Sequence, residues 1–295
     1  MQLGLMKHLR PIGKPVAKLA NLPSESALTF LAAIGSMIAA HTMAAQFYQD
    51  GKLTDRELMV TGVLNTVPFH FKETLTFQLP IVLPLLGAEL CLIYIAAFWL
   101  AGIIKLCFVI IYGRMKIQRR HGLDDAFELM ECDPADPDCV KRSFIQLLAD
   151  AWNTRKKLFF RMITLLGAVT MIVQLLMNSG MMQAFERLIA PMTSLFNLPP
   201  AVLGPVSAYI LSPTVGITYM SNLLGDHTVT QFQAIVALLA GGVLMIPVTR
   251  LRRTLPRYMA IYGLKNGSVI CGITTILSMS SRIAILIWVL LFYHH

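Results

Sequence analysis

The sequence predicts an all-α polytopic membrane protein of two inverted repeats, each a re-entrant helical hairpin followed by transmembrane helices. Three observations lead there. The 295 residues are 56% hydrophobic and only 14% charged, with a mean hydropathy of +0.63, whereas soluble domains run about 45–50% apolar and about 25% charged. Several apolar stretches approach or exceed the roughly 20 residues that a bilayer-crossing helix needs. A set of prolines, glycines and loop aspartates also recurs at one fixed offset. The composition excludes a soluble globular enzyme, a disordered chain and a disulfide scaffold, and the five cysteines form no zinc-type pairing of C-x-x-C motifs.

Taken in order, the N-terminus carries Lys7, Arg10, Pro11, Lys14 and Pro15 and reads as an amphipathic lead-in on the membrane surface rather than a cleavable signal. Residues 23–48 are apolar but interrupted by small and polar side chains. Leu58 to Phe71 is a shorter apolar run holding Asn65, Thr66 and Pro68. Leu85 to Tyr112 is long, with Lys105 as its only basic residue. The next apolar span is 158–177, then an interrupted segment at 199–224, an uncharged one at 231–248, and a final one at 264–293 containing Lys265 and Arg282.

Internal similarity links the two halves. Asn21-Leu22-Pro23 recurs as Asn197-Leu198-Pro199, an offset of 176 that also pairs Ser36 with Ser212, Asp50 with Asp226, Thr54 with Thr230, Pro80 with Pro256 and Gly87 with Gly263. Ungapped, residues 15–87 match 191–263 at 17 of 73 positions. Each unit reads as a surface helix, an interrupted segment broken at Gly35-Ser36 or Leu211-Ser212-Pro213, a polar turn, a helix, a Leu-Pro break and a long helix.

Charge placement chooses between crossing and re-entry. If 24–48 and 199–224 each dip and return, nearly all Lys and Arg, including 114–120 and 250–257, fall on one side, as the positive-inside tendency requires. If both segments crossed, these two basic groups would lie on opposite sides. The expected organisation is therefore a first repeat at 1–112 with its amphipathic N-terminal helix, a cytoplasmic connector at 113–157, a linking transmembrane helix at 158–180 and a second repeat at 181–295. The protein is expected in the cell (inner) membrane, multi-pass, with the N-terminus and the 113–157 loop cytoplasmic. The net charge of +9 then reports orientation, and nucleic acid is not an expected partner.

Broken helices at membrane depth are tolerated where they line a wet cavity or are buried in protein, and inverted repeats place such backbone where solutes and ions bind. The expectation is a transporter for a small polar or anionic solute. Pro23-Ser24-Glu25-Ser26-Ala27-Leu28-Thr29 through Gly35-Ser36, followed by Lys52-Leu53-Thr54, resembles the hairpin of the nucleoside recognition (Gate) domain. Related sequences are found in concentrative nucleoside transporters, the membrane part of FeoB-type iron transporters and spore maturation membrane proteins. The second copy, with Asn197-Leu198-Pro199 and Val248-Thr249-Arg250-Leu251-Arg252, is closer to the last two. This resemblance implies solute held near the hairpin tips, a nucleoside-like solute in one form. It also implies assembly as a homo-oligomer or with a partner Gate-domain protein. Its alternatives are a non-transporting membrane subunit and a divalent metal (iron) permease. The GTPase that accompanies FeoB-type pores would need a G-x-x-x-x-G-K-[ST] loop, which this sequence lacks.

Ten residues are candidate substrate ligands. Glu25-Ser26 resembles the base-contacting Glu-Ser of nucleoside transporters, the alternative being a carboxylate stabilised by a helix N-terminus. Gly35, Ser36, Ser212 and Thr214 lie at the two breaks and offer N–H groups and hydroxyls, or simply cap the turns. Asn65 and Thr66 precede Pro68, which frees carbonyls. Gly241, Gly242 and Pro247 interrupt the corresponding helix, for ligand access or close packing. Lys105 and Arg282 sit within apolar helices, where ionisable residues are functional by default, and suggest an anionic substrate, or pairing with Glu73 or Glu89. His70, Lys72 and Glu73 read as interfacial. The loop bearing Cys132 and Cys139 mixes thiols with carboxylates but matches no standard metal site, and reads as a solvated connector. No nucleophile, base and orienter set appears; no catalytic residue, metal or cofactor is assigned, and membrane lipid and a small solute are the expected non-protein partners.

Overall fold

A computed structural model describes residues 17–117 and 198–292, with positions 164 and 171 between them. The N-terminal lead-in, the connector with Cys132 and Cys139, the linking helix apart from 164 and 171, and the lead-in to the second repeat lie outside the described residues.

The described residues are helical, with no strand among them. Pro23, in extended conformation, starts α1 (Ser24–Gly35). The chain leaves the helical region at Ser36 (φ −148°, ψ 112°), whose hydroxyl caps α2 (Met37–Gln49) by accepting from the Ala39 N–H at 3.3 Å. After the Asp50-Gly51 turn, Thr54 and Glu57 form a reciprocal capping box that opens α3 (Asp55–Leu64), satisfying two otherwise orphaned N–H groups. Pro68 then opens α4 (Pro68–Glu73), which runs into a widened π segment, Thr74–Val82, around Pro80. A ring without an N–H cannot continue a regular ladder, and the wider turn accommodates it. Next comes α5 (Leu83–Lys116), broken at Gly87 (φ 80°, ψ 172°) and running four residues past the expected repeat boundary.

The second half follows the same course. A short 3₁₀ turn, Pro200–Val202, precedes α6 (Leu203–Leu211) and α7 (Pro213–Gly225), divided at Ser212 (φ −149°, ψ 111°). Thr230 and Gln233 box the start of α8 (Gln231–Thr249). A π segment at Arg250–Thr254 leads to α9 (Leu255–Tyr262), Gly263 (φ 84°, ψ 169°) and α10 (Leu264–Phe292). The backbone thus repeats at 176 residues not only in sequence but in dihedral angle, at Ser36/Ser212, Thr54/Thr230 and Gly87/Gly263. The last pair occupies a conformation essentially reserved for glycine.

Within each half the two arms pack on one another, α1 on α2 and α6 on α7. At the second pair a side chain on Gly216 would collide with the Tyr209 backbone, so the arms meet at van der Waals distance. The α10 helix is the central post, packing on α5, α8, α9 and α3, while α5 folds back over α3 and the first π segment. Three stretches are long and apolar enough to cross a bilayer: Asp55–Lys116, Gln231–Tyr262 and Leu264–Phe292. The first has 62 residues, far beyond one crossing. Large apolar side chains remain exposed along α5 and α10, including Leu92, Ile103, Ile276 and Leu291.

Candidate functional site

The packing of α10 between the two halves leaves a cavity of about 570 Å³. Its walls come from the start of α2, α4, the first π segment, α5, the Ser212 break with the end of α6, the end of α8, the second π segment, α9 and α10. Of the ten candidates, Thr66, Lys105, Ser212, Thr214 and Arg282 line it.

Arg282 is held by residues from three other helices. From α10 its Nη1 donates to the Tyr209 hydroxyl on α6 at 3.3 Å. Its guanidinium carbon lies 5.8 Å from the ring centroid of Tyr94 on α5, a cation–π distance. The Tyr94 and Tyr209 hydroxyls are themselves 2.8 Å apart. On α8, Gly242 lies against Arg282 so closely that an added Cβ would overlap Nη1. Glycine at 242 is therefore a condition for this placement. The neighbouring Gly241 faces Val206 and Tyr209.

Lys105 is 2% exposed and Arg282 9%. Among the described residues neither pairs with a carboxylate. The charges that act on Lys105 are those of Arg250 and Arg282, both of its own sign. Four further cations, Arg250, Arg252, Arg253 and Arg257, line the cavity from the second π segment and α9, against one carboxylate, Glu73. In the first half the equivalent positions are Thr74, Thr76, Phe77 and Ile81, so the cationic wall belongs to one half alone. Gln78 is fully buried and also lines the cavity. One end of its amide meets the Thr74 hydroxyl at 2.9 Å and the other has no partner.

The remaining candidates lie elsewhere. Ser26 and Thr61 share a buried hydroxyl–hydroxyl hydrogen bond of 2.6 Å between α1 and α3. Thr29 donates to Asn65 Oδ1 at 3.2 Å on the same seam, while the buried Asn65 Nδ2 has no partner. Glu25 accepts from its neighbour Ser24 at 3.1 Å. Gly35 and Ser36 are exposed, and although Met37 reaches the cavity, they do not line it. The two breaks are thus alike in backbone and different in surroundings.

His70, read as interfacial, is 3% exposed, lines the cavity and lies over Gly102, where a Cβ would come within 3.2 Å of its ring. Sequence reasoning also missed Tyr94, Tyr209 and Gln78 as site residues. A tyrosine within an apolar helix is the available signal, because a buried hydroxyl needs a partner, but nothing local names that partner. The arginines at 250–257 were visible and were fully accounted for by orientation.

The lining is rich in cations and hydrogen-bond donors and poor in anions. Such walls suit an acceptor-rich, negatively charged guest and repel a metal cation. No group of three His, Cys, Asp or Glu is placed to hold a metal among the described residues.

Comparison with known proteins gives relatives along nearly the whole chain. The uncharacterized protein MJ0880 of Methanocaldococcus jannaschii is 20% identical over 294 residues, covering 99% of this chain and 92% of that protein. The uncharacterized protein MJ0871 of the same archaeon is 23% identical over 292 residues, covering 99% and 88%. A third, MJ1556, is 22% identical over 284 residues, covering 94% and 84%. No protein-family profile matches the chain, and no solved structure matches it.

Proposed function

We propose that the protein is a multi-pass membrane carrier for a small anionic solute, built as two inverted Gate-like repeats whose helix pairs are re-entrant hairpins. The observation that carries this reading is the burial of Lys105 and Arg282 in one cavity with no carboxylate partner among the described residues. A lysine or arginine at the centre of a membrane helix costs about 2.5–3.5 kcal/mol on insertion scales. Two such residues beside further like charges suit a site whose anion arrives from solution.

The repeated backbone breaks at Ser36 and Ser212 support the hairpin reading, since non-helical backbone needs a cavity or protein around it. The fold-back of α5 on α3 supports two crossings within Asp55–Lys116. In this reading the residues do no covalent chemistry; they bind, orient and release. Flux into proteoliposomes holding the purified full chain is the test. Saturable uptake of an anion such as phosphate, sulfate or a dicarboxylate is expected. Its absence for every solute offered, with stable co-purification of a second membrane protein, would replace the carrier with the subunit reading.

A further inference from the structure

We infer that the cavity receives an oxyanion bearing at least two negative charges, a phosphate-like group, gripped jointly by Lys105, Arg250 and Arg282. This rests on the carrier reading for its biological setting but not for its chemistry. The charge count comes first. Arg250 and Arg282 both act on Lys105 with the same sign, and Glu73 is the only carboxylate in the lining among the described residues, so a monovalent guest leaves the lining strongly positive. A guest with two or more charges offsets more of that excess than a monovalent one.

Geometry sets the class. Arg282 has its Nη1 engaged by Tyr209 and lies against the Tyr94 ring, and planar or tetrahedral oxyanions are the guests a guanidinium matches best. Independently, the fully buried Gln78 lines the same cavity with one amide end unpartnered. Buried polar groups are nearly always satisfied, so this orphan marks a place where a polar guest sits. The phosphate chemistry has two sources, a soluble anion or the headgroup of a phospholipid.

Equilibrium binding separates these possibilities. The purified full chain, exchanged into a phosphate-free sugar detergent, is titrated with inorganic phosphate, pyrophosphate, sulfate, chloride and uridine, following its unfolding temperature. Saturable stabilisation by the multivalent anions is expected, with chloride at matched ionic strength and uridine inert. Lys105→Gln and Arg282→Gln should each weaken binding at least tenfold. Arg250→Gln serves in place of any variant that does not fold, and Lys52→Gln, a cation outside the cavity, should leave affinity unchanged. Equal stabilisation by chloride, or saturable binding of uridine alone, would overturn the inference. Native mass spectrometry from phosphatidylglycerol vesicles shows the source: a retained lipid displaced by pyrophosphate identifies a headgroup site, whereas a lipid-free chain that binds pyrophosphate identifies a soluble ligand. Anion binding without proteoliposome flux would remove the carrier reading and leave this site standing.

Discussion

Gly242 makes room for Arg282: any side chain at 242 would occupy the space of the guanidinium nitrogen that reaches Tyr209. The small residue on α8 and the cation on α10 are one structural unit. Lost volume at 242 should therefore be read out in ligand binding.

Gly242→Ala should lower anion affinity at least tenfold while leaving helicity intact. Alanine favours a helix over glycine by about 1 kcal/mol, so propensity opposes unfolding and any defect arises from displaced Arg282. Binding titration alongside circular dichroism checks it. Unchanged affinity would mean Arg282 is not a ligand in this rotamer.

Lys105→Met should stabilise the ligand-free protein and weaken anion binding. The substitution keeps an unbranched side chain and removes a buried, like-charged neighbour of Arg250 and Arg282. A gain of about 2–3 kcal/mol is expected from the cost of a mid-helix cation. Unfolding in detergent with and without phosphate measures both effects. A loss of ligand-free stability would point to a carboxylate partner for Lys105.

Ser26→Ala should destabilise by about 1 kcal/mol, the typical net worth of one hydrogen bond, and leave anion affinity unmoved. Ser26 joins α1 to α3 through Thr61 and does not line the cavity. A tenfold affinity change would return Ser26 to the substrate site.

His41 should couple energetically to Tyr262. Its Nδ1 meets the Tyr262 hydroxyl at 2.6 Å and its Nε2 the Tyr258 hydroxyl at 3.1 Å, linking α2 to α9. At the repeat-equivalent positions stand Ile217, Val82 and Leu86, all buried in an apolar core. His41→Leu removes a hydrogen-bond partner from two buried hydroxyls, and a buried hydroxyl left unpaired costs about 1–3 kcal/mol. Adding Tyr262→Phe should recover part of that loss, which a double-mutant cycle quantifies. Strict additivity would deny the bond.

Cysteines placed at Asp50 and Asp226 should label from opposite sides of the membrane in the intact full-length chain. These aspartates end α2 and α7 with nearly the same geometry (φ −77° and −81°, ψ 3° in both). Labelling from one side would replace the inverted layout with two repeats facing the same way.

The sequence by itself determined what rests on local chemistry. Prolines, glycines and capping residues at a constant spacing predicted where helices break, because a missing N–H, a positive φ or a hydroxyl cap acts within one turn of chain. Apolar length predicted the long helices, because bilayer thickness is a one-dimensional requirement. Lys105 and Arg282 stood out because a cation in an apolar helix is conspicuous without any neighbour.

Only the tertiary structure decided which of these features share a space. Ser36 and Ser212 have the same backbone, yet one is exposed and the other enters the cavity, because helices from both halves close around only one of them. Ser26 and Asn65, candidate ligands in the chain, hydrogen-bond to Thr61 and Thr29 along one buried seam away from the cavity lining. Tyr94, Tyr209, Gly242 and Arg282 lie on four different helices, and no local pattern joins them. A hydrogen bond across 73 residues is set by how helices pack, and packing is a property of surfaces meeting in three dimensions rather than of spacing along a chain.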